Sequence, residues 1–234
     1  MTSHDAGPPV AYIALGGAGS GKSTVAQRIS SITGAAYLDK DTISGPFVEL
    51  VLDALGHEAT DRESNDTYVN RVMPLEYDTL FAVAGRNLDL GHSVVLDAPF
   101  VAYLSDPDYL QRAIDAAAWP DTHIVVVHVT ASADVVKQRL IDRGLARDHV
   151  KLGEWENYWS RFGSLRCRWS IGQHHLFVND DAQSLLGIEH LVRPTTGTLP
   201  GAVTGWTGPA EAARSARNGG QGRVDDPGSL WDCL

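Results

Sequence analysis

Ten residues near the start of the chain, LGGAGSGKST at 15–24, concentrate the types that handle phosphate. Four glycines fall in the six positions from Gly16 to Gly21, and Lys22, Ser23 and Thr24 follow directly. Gly16, four residues, Gly21, Lys22 and Ser23 fit the spacing G-x-x-x-x-G-K-[ST]. Glycines lack Cβ and tolerate positive φ, so successive backbone N–H groups can turn inward around an anion. A helix starting at Lys22 adds its unpaired N-terminal donors and the positive end of its dipole. In this reading Gly16, Gly17, Ala18, Gly19, Ser20, Gly21, Lys22, Ser23 and Thr24 cradle a nucleoside triphosphate. Lys22 reaches the β- and γ-phosphates, and the Ser23 hydroxyl ligates Mg²⁺. A flexible linker would explain the glycines but not the apolar run Val10–Leu15 in front of them.

Carboxylates and arginines supply the rest of a phosphoryl-transfer inventory. Asp39 and Asp41 follow one short apolar run, and Asp97 ends another, HSVVLD at 92–97. Phosphoryl transfer needs positioning, charge neutralisation and a carboxylate that takes the proton of the attacking hydroxyl. Asp41 suits that base, against a simpler role as helix cap shared with Thr42 or Ser44. Asp97 suits a place near Mg²⁺ or a substrate contact, against a turn-forming role before Ala98-Pro99. Arg139 and Arg143 stand one turn apart on a helix, and Arg147 follows Gly144. Like charges so spaced repel unless an anion receives them. Arg143 and Arg147 are therefore assigned to a lid closing over the nucleotide, against pairing with Asp142 and Asp148; Arg139 is left open.

These residues need strand ends and helix starts to hold them. Val10–Leu15, Ala35–Leu38, His92–Asp97, Thr122–Val129 and His174–Val178 read as strands. Between them lie helical segments at Lys22–Thr33, at Pro46–Leu55, at a longer stretch with Tyr77, Leu80, Phe81, Ala84 and Leu88 at helical spacing, and at Asp108–Ala118. Ser132 opens another helix that runs to Arg143-Gly144. A mobile charged segment is expected to about Gly153, then an aromatic helix with Trp155, Tyr158, Trp159 and Phe162. Alternation at this spacing gives a parallel sheet with helices on both faces, and ligands bind beyond its carboxyl ends.

The chain has 234 residues, a net charge of −10 and 43% hydrophobic residues, which suits one α/β domain plus extensions. An acidic surface opposes non-specific binding of nucleic acid or anionic membrane. Yet between Lys137 and Arg168 eight basic residues face four acidic ones, a local cationic region fit for phosphate. No run approaches the ~18 apolar residues of a membrane span. With two distant cysteines and no export signal, a cytoplasmic location is expected. Residues 1–9 are read as a disordered N-terminus and 10–192 as the domain. Residues 193–234 are read as a disordered tail, because 194–234 hold eight glycines and four prolines without periodicity.

The order LGGAGSGKST, LDKDT, GHSVVLDAPF and QRLIDRGLARD resembles small P-loop kinases of the AAA-family ATPase type. These are relatives of zeta toxins, chloramphenicol phosphotransferase, polynucleotide kinase, and shikimate and gluconate kinases. The resemblance covers about residues 10–180. It implies a three-layer α/β fold with a five-stranded parallel sheet in the order 2-3-1-4-5 and a mobile lid. It places the base at Asp41, with Asp39 second, and the lid arginines at Arg143 and Arg147. The expected activity is transfer of the γ-phosphoryl group of ATP, with Mg²⁺, to a hydroxyl of a small-molecule acceptor. The alternative is an ATP-binding regulatory switch with no such acceptor.

Overall fold

The computed structural model describes residues 7–58, 62, 65–145 and 148–192. The expectations for Arg147 and for the segment from 193 onward lie outside the described residues. Five parallel strands form one sheet in the order β2-β3-β1-β4-β5. They are β1 Val10–Leu15, β2 Ala36–Asp39, β3 Val94–Asp97, β4 His123–Thr130 and β5 Gln173–Val178. Every residue of β1 after Val10 is buried, as is every residue of β3. These strands carry continuous apolar runs because helices cover both faces of the sheet.

Helix α1, Lys22–Thr33, ends where Gly34 turns left-handed, and its Val25, Ala26 and Ile29 pack on one sheet face. The short helix α8, Ile188–Val192, closes that face with Ile188 and Val192. The opposite face is covered by α2 (Lys40–Ala54) and α3 (Met73–Asp89), with α4 (Tyr109–Ala116) beside them. The apolar stripe of α3 is buried as its spacing foretells: Tyr77, Leu80, Phe81, Ala84 and Leu88. A π-helical turn at Tyr68–Val72 leads into it. Helix α5, Ala133–Arg143, is followed by α6, His149–Gly153, and α7, Trp155–Phe162, which together form a separate small apolar cluster.

Two expectations are corrected. Helix α2 starts at Lys40, not Pro46, because the Asp39 carboxylate caps it and Pro46 is accommodated inside. The missing N–H of that proline leaves one carbonyl of the preceding turn without its helical donor, a cost the buried face of the helix offsets. The segment before Gly153 contains the helix α6 rather than only mobile chain. No helix among the described residues is long and apolar enough to cross a membrane.

His128 sits on β4 between Leu15 of β1 and Leu176 of β5, and it is buried. Burial, helped by the charges of Arg166 and His174, pushes its imidazole down from 6.5 to about 4. A depressed histidine stabilises the fold while neutral. As pH falls through 6.5 the unfolded chain takes up a proton that the folded chain refuses until about 4. Stability should therefore drop across that window by about 3 kcal/mol on this account alone. Urea unfolding of wild type and His128→Gln at pH 6.5 and 4.5 checks this: the wild type should lose more stability between the two. Equal losses would contradict it.

Candidate active site

The turn between β1 and α1 is built so that side chains are excluded. A Cβ on Gly16 would lie 2.3 Å from the Val129 carbonyl of β4, and one on Gly21 would lie 2.1 Å from Asn179 Nδ2. Gly21 also has φ +83°, a conformation other residues adopt only with strain. Asn179, buried just after β5, donates from Nδ2 to the Ser20 carbonyl at 2.9 Å, and its backbone N–H bonds Thr130 at 2.7 Å. Arg139 Nη1 donates to the Gly19 and Ser20 carbonyls at 3.3 Å each. With these carbonyls bound on the outside and the Ser20 N–H bonded to the Gly17 carbonyl at 3.3 Å, the other N–H groups of the loop are left available to the cleft. Arg139, which the sequence left open, is a brace of the loop.

The carboxylates meet at the carboxyl edge of the sheet, where Asp39 and Asp97 are register partners on neighbouring strands. Asp97 is 1% exposed, and its Oδ1 pairs with Lys22 Nζ. Its Oδ2 accepts from the Tyr37 hydroxyl at 2.7 Å. Burial first, then the Asp97 carboxylate, pushes the Tyr37 phenol well above its ordinary range, so it stays a donor. Ser23 Oγ lies 3.4 Å from Lys22 Nζ. Asp39 Oδ1 accepts from the backbone N–H groups of Asp41 and Thr42 at 2.8 and 3.2 Å. Asp39 is thus the cap that starts α2, and it fixes Asp41 on the first turn, lining the cleft.

Behind Asp41 stands a polar cluster that the sequence reading missed. Lys40, buried, places its ammonium 3.0 Å from Asp41 Oδ1 and 2.7 Å from Glu76 Oε1. Glu76, 3% exposed on α3, also lies 2.8 Å from Ser44 Oγ and accepts from the Tyr68 hydroxyl at 2.6 Å. A buried lysine and glutamate are tolerable only when paired and hydrogen-bonded in this way. Burial, then the Glu76 charge, pushes the Tyr68 phenol far up, so its proton stays on the bond to Glu76. Glu76 interrupts an otherwise apolar helix stripe, and that interruption was the available signal.

One continuous cleft of about 430 Å³ joins these parts. The phosphate loop from Gly16 to Thr24 forms one half, Ser20 excepted, with Arg139, Arg143, Lys151, Tyr158 and Phe162. Lys40, Asp41, Arg62, Tyr68, Tyr77 and the residues after β3 form the other. Lys22, Lys40, Arg62, Arg139, Arg143 and Lys151 make this a cationic hollow in an acidic chain. Arg143 reaches it while pairing through Nε and Nη2 with the buried Asp148 at 2.5 and 2.7 Å. The pairing weighed in the sequence is therefore real for Asp148, whereas Asp142 accepts from Gln138 instead. No group of three or more histidine, cysteine or acidic side chains suited to a metal occurs among the described residues.

A family model described as an AAA domain matches residues 12–165, well over half of the chain. The chain belongs to the AAA domain family. No curated protein sequence matches it. Among solved structures, this AAA domain protein shares its fold with a candidate kinase from Chloroflexus aurantiacus j-10-fl. The two are 21% identical with a TM-score of 0.56, over 79% of this chain and 97% of the other. A sugar kinase from Janibacter sp. HTCC2649 aligns at 18% identity and a TM-score of 0.51, over 79% of this chain and 93% of the other. The AAA domain chain thus has the fold of the small P-loop kinases, with the sheet order and helix layers described above.

The close fit around Gly21 has a measurable consequence. Gly21→Ala should strain the turn and drive Asn179 from its bond to Ser20, lowering the melting temperature and weakening ATP binding by tenfold or more. An alanine variant with unchanged melting and unchanged affinity in a calorimetric titration would refute the described packing.

Proposed function

We propose that this protein is an ATP- and Mg²⁺-dependent phosphotransferase that moves the γ-phosphoryl group of ATP to a hydroxyl of a small-molecule acceptor. The observation that carries the reading is that the phosphate loop and Asp41 line the same cleft, among six cationic side chains. A nucleotide switch without an acceptor would have no need of a carboxylate there.

In this reading the loop amides and Lys22 hold the β- and γ-phosphates, as helix N-termini and inward-turned amides do for anions. Ser23 and Asp97 both offer hard oxygen donors within reach of the Lys22 ammonium, a set that would suit Mg²⁺, which would neutralise charge on the phosphate oxygens. Asp39 orients the first turn of α2, and Asp41 accepts the proton of the acceptor hydroxyl. The hydroxyl oxygen bonds to the γ-phosphorus as the bond to the bridging oxygen breaks and ADP leaves. Asp41 then releases its proton to water. Arg143, held in place by Asp148, meets the charge spread over the transferring oxygens, and Arg147 is proposed to share that role. The activity is assigned to residues 10–192, and the acceptor enters from the half of the cleft opposite the loop.

Asp41→Asn deletes a proton acceptor but no phosphate contact. Labelled phosphoryl transfer to pooled alcohols should fall roughly a hundredfold or more, with ATP affinity nearly unchanged. Transfer at the wild-type rate would remove Asp41 from the mechanism.

A further inference from the structure

The acceptor half of the cleft has a composition that speaks to the kind of alcohol it takes. Its walls come from Tyr68, Val69 and Met73 at the entrance to α3, Tyr77 one turn later, and Val101 and Ala102 after β3. Two of these residues carry hydroxyls, and both hydroxyls are engaged inside the protein. The Tyr68 hydroxyl donates to Glu76 Oε2 at 2.6 Å. The Tyr77 hydroxyl oxygen accepts the Phe100 backbone N–H at 3.1 Å, and that residue is itself pinned in a left-handed conformation at φ 56°. Besides the proton of the Tyr77 hydroxyl, what these side chains leave for a ligand is ring carbon, methyl and thioether. The charged residues of this half are Lys40, Asp41 and Arg62, with the Lys40 ammonium beside Asp41 and 5.7 Å from the centroid of the Tyr77 ring.

A site that recognises a polyol needs a donor or acceptor for each hydroxyl, because a sugar stripped of water against carbon loses its hydrogen bonds without replacement. Among the described residues these walls do not supply that set. They suit a compact body that gains by leaving water. The whole cleft is about 430 Å³, so with the triphosphate in place the remaining space admits only a small molecule.

Resting on the phosphotransferase reading above, we infer that the acceptor is a small alcohol with an apolar or aromatic body and a single reactive hydroxyl, directed to Asp41, rather than a polyhydroxylated sugar. Lys40 serves here as a positioning residue. Anchored by Glu76, its ammonium holds the Asp41 carboxylate beside the carbon walls of the pocket.

The test offers the wild-type protein, with Mg²⁺ and γ-labelled ATP, two sets of alcohols. One holds glucose, gluconate and glycerol; the other holds benzyl alcohol, 2-phenylethanol and cyclohexylmethanol. The second set should be preferred in kcat/KM by at least about tenfold, the low end of what one buried methylene confers. Val69→Asn, which places an amide on the wall, should shrink that preference while leaving the KM for ATP unchanged. Equal or better use of the polyols, or a preference untouched by Val69→Asn, overturns the inference and leaves the phosphotransferase reading standing. Transfer to no alcohol of either set overturns both.

Discussion

Everything in the cleft hangs on how closely the turn after β1 is packed. The Val129 carbonyl of β4 and the side-chain amide of Asn179 occupy the space where Cβ atoms of Gly16 and Gly21 would be. Such contact leaves one backbone path, and that path sends the carbonyls of Gly19 and Ser20 outward to Arg139 and Asn179. Of the loop amides, Ser20 bonds the Gly17 carbonyl at 3.3 Å, and the path leaves the others free to turn toward the cleft. Because the bracing groups come from β4, α5 and the end of β5, the cradle is a property of the folded sheet and not of the loop alone. An anion-binding turn held from outside in this manner pays little ordering entropy when phosphate arrives.

The same economy of charge runs through the rest of the site. Each buried carboxylate among the described residues has a cationic partner: Asp97 with Lys22, Glu76 with Lys40, Asp148 with Arg143. Removing one member of such a pair strands the other, which costs far more than the pair contributes. The consequence for function is rigidity at the carboxyl edge of the sheet. Asp39 sets the start of α2, Lys40 turns inward to Glu76, and Asp41 is left facing the cleft by the geometry of that one turn. Three consecutive residues thus cap the helix, anchor it to α3 and present a carboxylate to the cleft.

Much of this was legible in the sequence because its signals are local. The glycine spacing, the apolar strand before it, the β-branched run of β4 and the helical spacing on α3 each declare themselves within a few residues. The carboxylates were found for the same reason, at the ends of apolar runs. What the sequence hid depends on contact across long separations. Glu76 lies 36 residues from Lys40 and 8 from Tyr68, and only the fold brings them together. Asn179 braces a loop 159 residues away and has no motif to announce it. Pro46 suggested a helix start because proline favours that place, but the Asp39 cap starts the helix at Lys40, six residues earlier. Helix α6 is short and charged, so its period is too brief to read.

If the cleft holds a nucleoside triphosphate by its phosphates, calorimetric titration with Mg²⁺ and either ATP or AMP will reveal it. The wild type should bind ATP at least tenfold more tightly than AMP. In a Lys22→Met/Asp97→Asn variant, shown by its melt to be folded and chosen so that neither buried charge is stranded, that preference should disappear. Equal affinity for ATP and AMP in the wild type, or a full ATP preference retained in the folded variant, would contradict the account.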